Sequence, residues 1–336
     1  MASSLLESLS ADDRAKAVKT GFPGWLDPML ATLTDTPFSD ENWLFERKFD
    51  GERCLAYRNG EHTRLMSRNR KPLGGSYPEI ADAIAQQLRH EFIVDGEIVA
   101  FEGEMTSFAR LQNRMKLTDP EAARRSDVPV FYYVFDILYL DGYDVMRVPL
   151  RQRKALLQRA LDFREPLRFT EHRDRDGKAF IAEACAKRWE GLIAKDAEAA
   201  YEHRRSRKWL KFKCVKMQEV VVGGFTDPEG SRRGFGALLV GYYKGRSLIY
   251  AGKIGTGFDD DTLRELRAKL DRLETDTAAF AADSDLPKHH VHWVQPKLVA
   301  QAKFTEWTRD GKLRHPVYLG LRDDKEPAKV TREEAK

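Results

Sequence analysis

Cysteine is scarce. Cys54, Cys185 and Cys214 are the only three in 336 residues, and no two of them form a C-x-x-C pair. A zinc site built on cysteines is therefore not expected, nor is a disulfide framework, and a reducing compartment is. Long apolar runs are missing too: nothing approaches the roughly 20 residues that a membrane-spanning helix needs. Met1–Thr20 mixes acidic and basic residues where a secretory leader would carry an apolar core. Neither charge sign dominates, since 57 Lys and Arg stand against 53 Asp and Glu for a net +4. A site for a polyanion has to come from local clustering rather than from bulk charge. There is no internal repeat and no low-complexity linker.

What is present suits two domains. The length exceeds one small core, and 42% hydrophobic with 10% aromatic residues can fill a sizeable interior. From Trp25 to about Val215 strand-like and helix-like segments alternate. Trp43–Phe49 and Arg53–Arg58 read as two strands joined by an Asp50-Gly51 turn, His62–Ser67 as a third, Phe92–Ala100 and the β-branched, aromatic Val130–Tyr139 as buried strands. Tyr77–Leu88, Leu150–Ala160 and Gly177–Trp189 have helical spacing, and Gly191–Asp196 and Trp209–Val215 are strands again. After Lys216 come short apolar strands between Gly-rich turns (Glu219–Phe225, Gly236–Tyr243, Ser247–Lys253). A helix Asp260–Leu273, capped by Asp259 or Asp260, follows, and Val291–Phe304 and Arg314–Tyr318 complete a β-rich unit. Ser8–Val18 is read as a short amphipathic helix or a tail.

Seven clusters of residues with polar members occur in order. The first is Glu46-x-Lys48-x-Asp50-Gly51 with Arg53 close behind. A lysine becomes a nucleophile only after losing its proton, which burial or neighbouring positive charge promotes. Alone, Lys48 reads as a surface lysine. Ser67-Arg68-Asn69 and Asp95-Gly96-Glu97 follow, then Phe135-Asp136-Ile137-Leu138-Tyr139-Leu140-Asp141-Gly142 and Glu190-Gly191-Leu192-Ile193-Ala194-Lys195. Arg205-Ser206 leads into Trp209-Leu210-Lys211-Phe212-Lys213, where alternation places Lys211 and Lys213 on one strand face. Arg204 to Lys216 holds seven basic residues, which beside Trp209 suggests a phosphate-binding wall. Leu313-Arg314-His315-Pro316 and Arg322-x-x-Lys325 close the set.

This ordered set resembles the ATP-dependent DNA ligases of the covalent nucleotidyltransferase superfamily, and most of all the ligase domain of bacterial end-joining ligases. The resemblance covers Trp25 to Lys325. It implies an α+β fold: a nucleotidyltransferase domain of ATP-grasp-like antiparallel sheets with helices at 25–215, then an OB-fold β-barrel at 216–330, with 1–24 as an extension and 331–336 as a tail. It implies that Lys48 is the nucleophile that takes AMP from ATP. Glu46, Arg53, Arg68, Glu97, Phe135, Lys195, Arg205, Lys211, Lys213, Arg322 and Lys325 are expected to bind the nucleotide, Phe135 by stacking on adenine. Glu97 and Glu190 are expected to hold Mg²⁺, with Mn²⁺ as the alternative, because hard cations take oxygen donors. Asp50 is expected near the DNA 3′ end, and Arg322 and Lys325 at the β- and γ-phosphates.

The resemblance further implies a cytoplasmic, nucleoid-associated bacterial enzyme that seals nicked duplex DNA in repair as a monomer, with a DNA end-binding protein as partner and no membrane. Only 47 residues precede Lys48, too few for a separate helical DNA-binding domain. Ser107–Lys116 (Arg110, Arg114, Lys116) and the turn Ser231-Arg232-Arg233-Gly234 are therefore candidate DNA-contact loops. RNA ligases and GTP-dependent capping enzymes share the lysine motif and are the enzyme alternatives. A degenerate nucleic-acid-binding scaffold is the non-enzyme one, disfavoured because Lys48, Glu97, Glu190, Lys211 and Lys213 are all intact. An NAD-dependent ligase is disfavoured by the missing four-cysteine zinc module.

Overall fold

The computed structural model describes residues 5–228, 230, 233–283 and 285–333. It divides into two compact units between Cys214 and Val215. In chain order the first unit contains α1 (Ala11–Arg14), β1 (Val18–Lys19), β2 (Leu30–Leu33), β3 (Trp43–Lys48), β4 (Glu52–Asn59), β5 (His62–Ser67), α2 (Pro78–Ala85), β6 (Glu91–Glu102) and β7 (Met105–Thr106). It continues with α3 (Phe108–Met115), α4 (Pro120–Arg124), β8 (Val130–Leu140), β9 (Tyr143–Asp144), α5 (Leu150–Ala160), β10 (Leu167–Phe169), β11 (His172–Arg173), α6 (Gly177–Ala186), β12 (Gly191–Asp196) and β13 (Arg205–Lys213). Two sheets result. Sheet one has the order β1-β9-β8-β6-β4-β5, with β7 on β6 and β10 parallel to β8. Sheet two has the order β11-β3-β12-β13-β2.

The Asp50-Gly51 turn does not make the expected hairpin. β3 pairs with β12 and β11, whereas β4 pairs with β5 and β6, so the turn carries the chain from one sheet to the other. The backbone of β6 passes so close that a Cβ on Gly51 would meet the Ile98 carbonyl oxygen at 2.2 Å. Only glycine fits that crossing. Leu55, Tyr57, Ile93, Phe135 and Leu138 of sheet one pack with Met29, Tyr201 and Trp209 into one core. The other face of sheet one (Cys54, Ala56, Phe92, Val94) is covered by Tyr77, Ile80 and Ile84 around α2, and by Leu156 and Leu157 of α5. Leu5, Leu6 and Leu9 join that second core and β1 pairs with β9, so the N-terminal segment is built into the unit rather than trailing from it.

Other expectations are corrected as well. Ser107–Lys116 is not a loop: the Ser107 hydroxyl accepts from the Arg110 N–H and caps α3. Arg114 is buried, giving Glu79 a bidentate pair at 2.7 and 2.6 Å, and so is not a DNA contact. Ser231 and Arg232 lie outside the described residues. Cys185 at the exposed end of α6 and Cys214 after β13 form a disulfide, contrary to the reading from cysteine scarcity. Their separation of 29 residues hid a neighbourhood that α6 and β13 create in three dimensions.

The second unit contains β14 (Lys216–Thr226), β15 (Leu238–Lys244), β16 (Ser247–Ile254), α7 (Asp260–Asp271), β17 (Glu274–Thr275), β18 (Val291–Phe304) and β19 (Val317–Leu321). Asp259 caps α7 through the Thr262 N–H. The strands form one sheet, β16-β15-β14-β18-β17, with β19 also on β18. No continuous ladder closes the sheet among the described residues, but a parallel bridge between Thr256 and Val317 brings the end of β16 back to β19, as the expected OB-type unit requires, and Leu266 of α7 packs with Val220, Phe235 and Leu238 in its core. The last strand begins at Val317, not Arg314. Among the described residues no helix is long and apolar enough to cross a membrane.

One buried ion pair anchors α5 to sheet one. The Arg153 Nε and Nη2 donate to the two Asp136 oxygens at 2.8 Å each, both side chains are fully buried, and Arg153 Nη1 also donates to the carbonyls of Val148 at 2.6 Å and Ala199 at 2.9 Å. Arg153→Met is expected to leave Asp136 buried and uncompensated and to cost about 3–5 kcal/mol of stability. Chemical denaturation would measure it, and a loss below about 1 kcal/mol would contradict the anchoring role.

Candidate active site

β12 lies between β3 and β13 in unbroken antiparallel register. Lys48 stands opposite Gly191, and Gly191 opposite Lys213; Glu46 stands opposite Ile193, and Ile193 opposite Lys211; Lys195 stands opposite Trp209. Because side chains alternate along a strand, all of these share one face of sheet two. The first row has a lysine at each end and no side chain in the middle. A Cβ on Gly191 would meet the Phe212 carbonyl oxygen at 1.8 Å, so the gap between the lysines is obligatory. Glu190 immediately precedes it.

Sheet one faces this surface with Arg53, Asp95, Glu97 and Phe135. Arg53 pairs with Glu97, and Glu97 with Tyr133, across the strands. The guanidinium of Arg53 donates to both oxygens of the fully buried Asp95 at 2.5 Å and to the Met29 carbonyl at 3.2 Å. It also lies 4.6 Å from the Phe135 ring centre and 5.7 Å from that of Trp209. The Tyr201 hydroxyl donates to Asp95 at 2.6 Å and locks the same carboxylate. Arg53 is thus held by an acid, not beside Lys48 as the positive neighbour that the sequence suggested.

Lys48 is ion-paired with Glu190. Burial pulls the amine's pKa down, but Glu190, with Asp50 and Glu97 behind it, more than offsets this, and the pKa lies above its ordinary 10.5. In this state Lys48 is an ammonium. The other Glu190 oxygen, Oε2, is buried with no hydrogen-bond partner among the described residues. Glu190 holds Lys48 directly, and Glu97 adds a weaker electrostatic pull on the same amine. Among the described residues no three Asp, Glu, His or Cys side chains form a metal cage. Mg²⁺ needs none: it keeps waters and takes one or two carboxylates plus substrate phosphates. The orphaned Glu190 oxygen, on a face that also carries a pull from Glu97, fits it.

Two residues along β3, Glu46 is buried between two lysines. Lys154 Nζ donates to Oε1 at 2.7 Å, and Lys195 Nζ lies 2.5 Å from Oε2. Burial alone would raise the Glu46 pKa; Lys154 and Lys195 bring it below the ordinary value. Burial and the Lys154 charge pull Lys195 down to about 8 against the opposing pull of Glu46. Its ammonium stands over the Phe135 and Trp209 rings at 4.1 and 4.3 Å. The Glu46 contact is an ion pair rather than a well-aimed hydrogen bond, and Lys195 Nζ, Trp209 Nε1, Thr170 Oγ1 and His172 Nδ1 are all buried without one. His172 stands opposite Glu46 on β11. Orphaned donors beside a half-caged aromatic ring suit a flat ligand with polar edges.

The remaining expected residues are more scattered. The Asp50 N–H donates to Thr106 Oγ1 at 3.2 Å in the crossing turn. Arg68 follows β5, the edge of sheet one. Arg205 begins β13, at the opposite end of that strand from Lys213. There it lines an open hollow of about 380 Å³ with Trp43, Arg204, Arg207 and Lys208. In the second unit Arg322 pairs with Asp324 at 2.8 Å and with Gln301 at 2.5 Å, and Lys325 with Glu219 at 2.6 Å. Sequence reasoning missed Lys154, Tyr201 and His172 as neighbours of the site. Lys154 carries no local signal, because its burial arises only where α5 meets Glu46.

The family profile for the ATP dependent DNA ligase domain matches residues 28–213, and that for the ATP dependent DNA ligase C terminal region matches 231–325. The chain is 36% identical over 322 residues to the multifunctional non-homologous end joining protein LigD of Pseudomonas aeruginosa, covering 94% of this chain and 37% of that protein. It is 37% identical over 319 residues to the multifunctional non-homologous end joining DNA repair protein LigD of Mycobacterium tuberculosis, covering 92% and 40%. A DNA ligase of Thermococcus onnurineus is 30% identical over 301 residues, covering 84% and 52%. The structure is similar to that of a mycobacterial DNA ligase D complexed with ATP and MES: TM-score 0.67, 33% identity, covering 92% of this chain and 98% of that one. The chain therefore spans about two fifths of the length of the LigD relatives.

Lys48 is raised by Glu190 and lowered by burial, so Glu190→Gln should lower its pKa and leave more free amine at neutral pH. Acylation of Lys48 by an amine-reactive ester, followed by peptide mass spectrometry without metal or nucleotide, is expected to be faster in the variant at pH 7–8, with the gap closing at high pH. Slower or unchanged labelling would contradict the clamp.

Proposed function

We propose that this chain, which belongs to the ATP-dependent DNA ligase family, adenylates its own Lys48 and uses the AMP to seal a nick between a DNA 5′-phosphate and a 3′-hydroxyl. Its two units correspond to the nucleotidyltransferase domain and the OB-fold domain of such enzymes. The observation that carries the reading is the row Lys48–Gly191–Lys213 with Glu190, next to Gly191 in the chain, paired to Lys48. It offers a nucleophile, a second cation and an obligatory space for phosphate between them.

Lys48 waits as an ammonium clamped by Glu190. When that carboxylate is drawn away, burial and the cation of Lys213 favour the free amine. The amine attacks the α-phosphorus of ATP: a P–N bond forms, the bond to pyrophosphate breaks, and lysyl-AMP remains. Held by Glu97 and Glu190, Mg²⁺ or Mn²⁺ would supply charge that neutralises the triphosphate and competes with the ammonium for Glu190. Lys211 and Lys213 bind phosphate oxygens. Phe135, Glu46 and Lys195 hold the base, and Arg53, fixed by Asp95, supports the face of Phe135. The AMP then passes to the 5′-phosphate, and the 3′-hydroxyl, near Asp50, displaces it. Arg68 and Arg205 supply further sugar or phosphate contacts, while Arg322 and Lys325 orient the leaving pyrophosphate. The relatives named for end joining support a role in bacterial break repair; in that role the chain would act on nicked duplex DNA at the nucleoid, beside a DNA end-binding protein.

Intact mass after mixing with ATP and Mg²⁺ is expected to rise by one AMP, and a nicked duplex to be sealed. Lys48→Ala should abolish both. Retained sealing by that variant with ATP alone would refute the assignment. Arg322→Ala should slow self-adenylation far more than the sealing of a pre-adenylated nick; equal losses in the two assays would remove it from the first step.

A further inference from the structure

Lys154 lies on α5, in a run with three arginines that reads as a solvated helix face, yet its side chain is only 2% exposed. A buried ammonium is unfavourable unless paired, and this one is fully engaged. It donates to Glu46 Oε1 at 2.7 Å and to the Thr170 carbonyl at 2.9 Å, and stands 4.7 Å above the Phe169 ring. The carbonyl belongs to the main chain and cannot turn away, so Lys154 is a fixed post from which Glu46 is held. Glu46 is consequently shared between cations from two elements, Lys154 of α5 on one oxygen and Lys195 of β12 on the other.

We infer that Lys154 is a positioning residue for base recognition, acting through Glu46 so that the chain takes adenosine rather than guanosine triphosphate. The inference rests on the nucleotide reading given above. An ionised carboxylate can only accept hydrogen bonds. It suits the 6-amino group of adenine and repels the 6-oxo group of guanine. Lys154 keeps Glu46 ionised and fixed by one oxygen, which spares the donors of Lys195 from satisfying Glu46 alone. Without Lys154, Glu46 and Lys195 close on each other, or Glu46 takes up a proton and becomes a donor that tolerates an oxo group. Either change weakens adenine binding and erodes the preference at the same time.

The test is self-adenylation followed by intact mass, with ATP or GTP as substrate, for wild type, Lys154→Met, Lys154→Arg, Glu46→Gln and Glu46→Gln/Lys154→Met, each first checked for folding by its melting curve. Lys154→Met should raise KM for ATP by about tenfold or more with a smaller loss of kcat, and cut the ATP-over-GTP preference by about tenfold, while Lys154→Arg stays near wild type. The double variant should be no worse than Glu46→Gln alone, because Lys154 then has nothing to act through. A folded Lys154→Met with wild-type KM and preference overturns the inference, as does a double variant whose losses are the product of the single ones. If Lys154→Met does not fold alone, the comparison of the double variant with Glu46→Gln decides: equal KM and preference support the inference, and a folded double variant clearly worse than Glu46→Gln overturns it. A wild type that gains no AMP at all overturns the nucleotide reading and this inference with it; a wild type that does gain it separates the two.

Discussion

The unbroken register of three neighbouring strands is the constraint on which the rest depends. β3, β12 and β13 pair without a bulge from Lys48–Gly191–Lys213 through to the row containing Lys195. Alternation within each strand then does what no local motif can: it aligns residues from three distant stretches of chain into rows across one face. A slip of one residue in any of them would turn its whole functional set to the opposite side. The side chains between them, Phe45, Leu192, Ala194 and Phe212, form a separate apolar core on that opposite side with Phe180. Burial of this second set pins the first.

The interior between the two sheets is organised by charge as much as by apolar contact. Asp95 is held by Arg53 and Tyr201, Asp136 by Arg153, and Glu46 by Lys154 and Lys195. Buried pairs of this kind contribute little net stability relative to apolar packing, but removing one partner is costly. Their distribution is therefore better understood as fixing orientations. Each carboxylate sits on a strand that lines the space between the sheets, and each partner ties it to a second element. The aromatic rings of Phe135 and Trp209 are framed by cations from both sheets, which leaves their edges as the apolar part of an otherwise polar hollow.

Much of this was legible in the sequence, and the limits have physical causes. Strands with strong β-branched or alternating character, such as Val130–Leu140 and Gly191–Asp196, were located nearly to the residue. The strand β13 was found only in part, because Arg205 to Lys208 looks like a solvated charge run when read locally. The Asp50-Gly51 turn has the chemistry of a hairpin, and only the approach of Ile98 from β6 shows that it crosses between layers. Of the site, the ordered motifs supplied the residues on sheet two. The sign of the electrostatics at Lys48 was misread, since chain proximity to Arg53 suggested positive surroundings and folding supplied three acids instead. Lys154 and the Cys185–Cys214 pair were invisible because both arise from tertiary contacts between segments with no shared pattern.

The crossing turn has a mechanical consequence. Lys48 ends a strand of one layer, and Glu52 begins a strand of the other, with Phe49, Asp50 and Gly51 as the whole spacer. The nucleophile's distance to Gly191 is dictated by ladder hydrogen bonds inside a single layer. Its distance to Glu97 is dictated by how two layers stack. Stacked layers slide over one another far more readily than ladders shear, so gentle warming or pressure would blur the second spacing long before the first. The three-residue spacer is a short tether that limits that slippage.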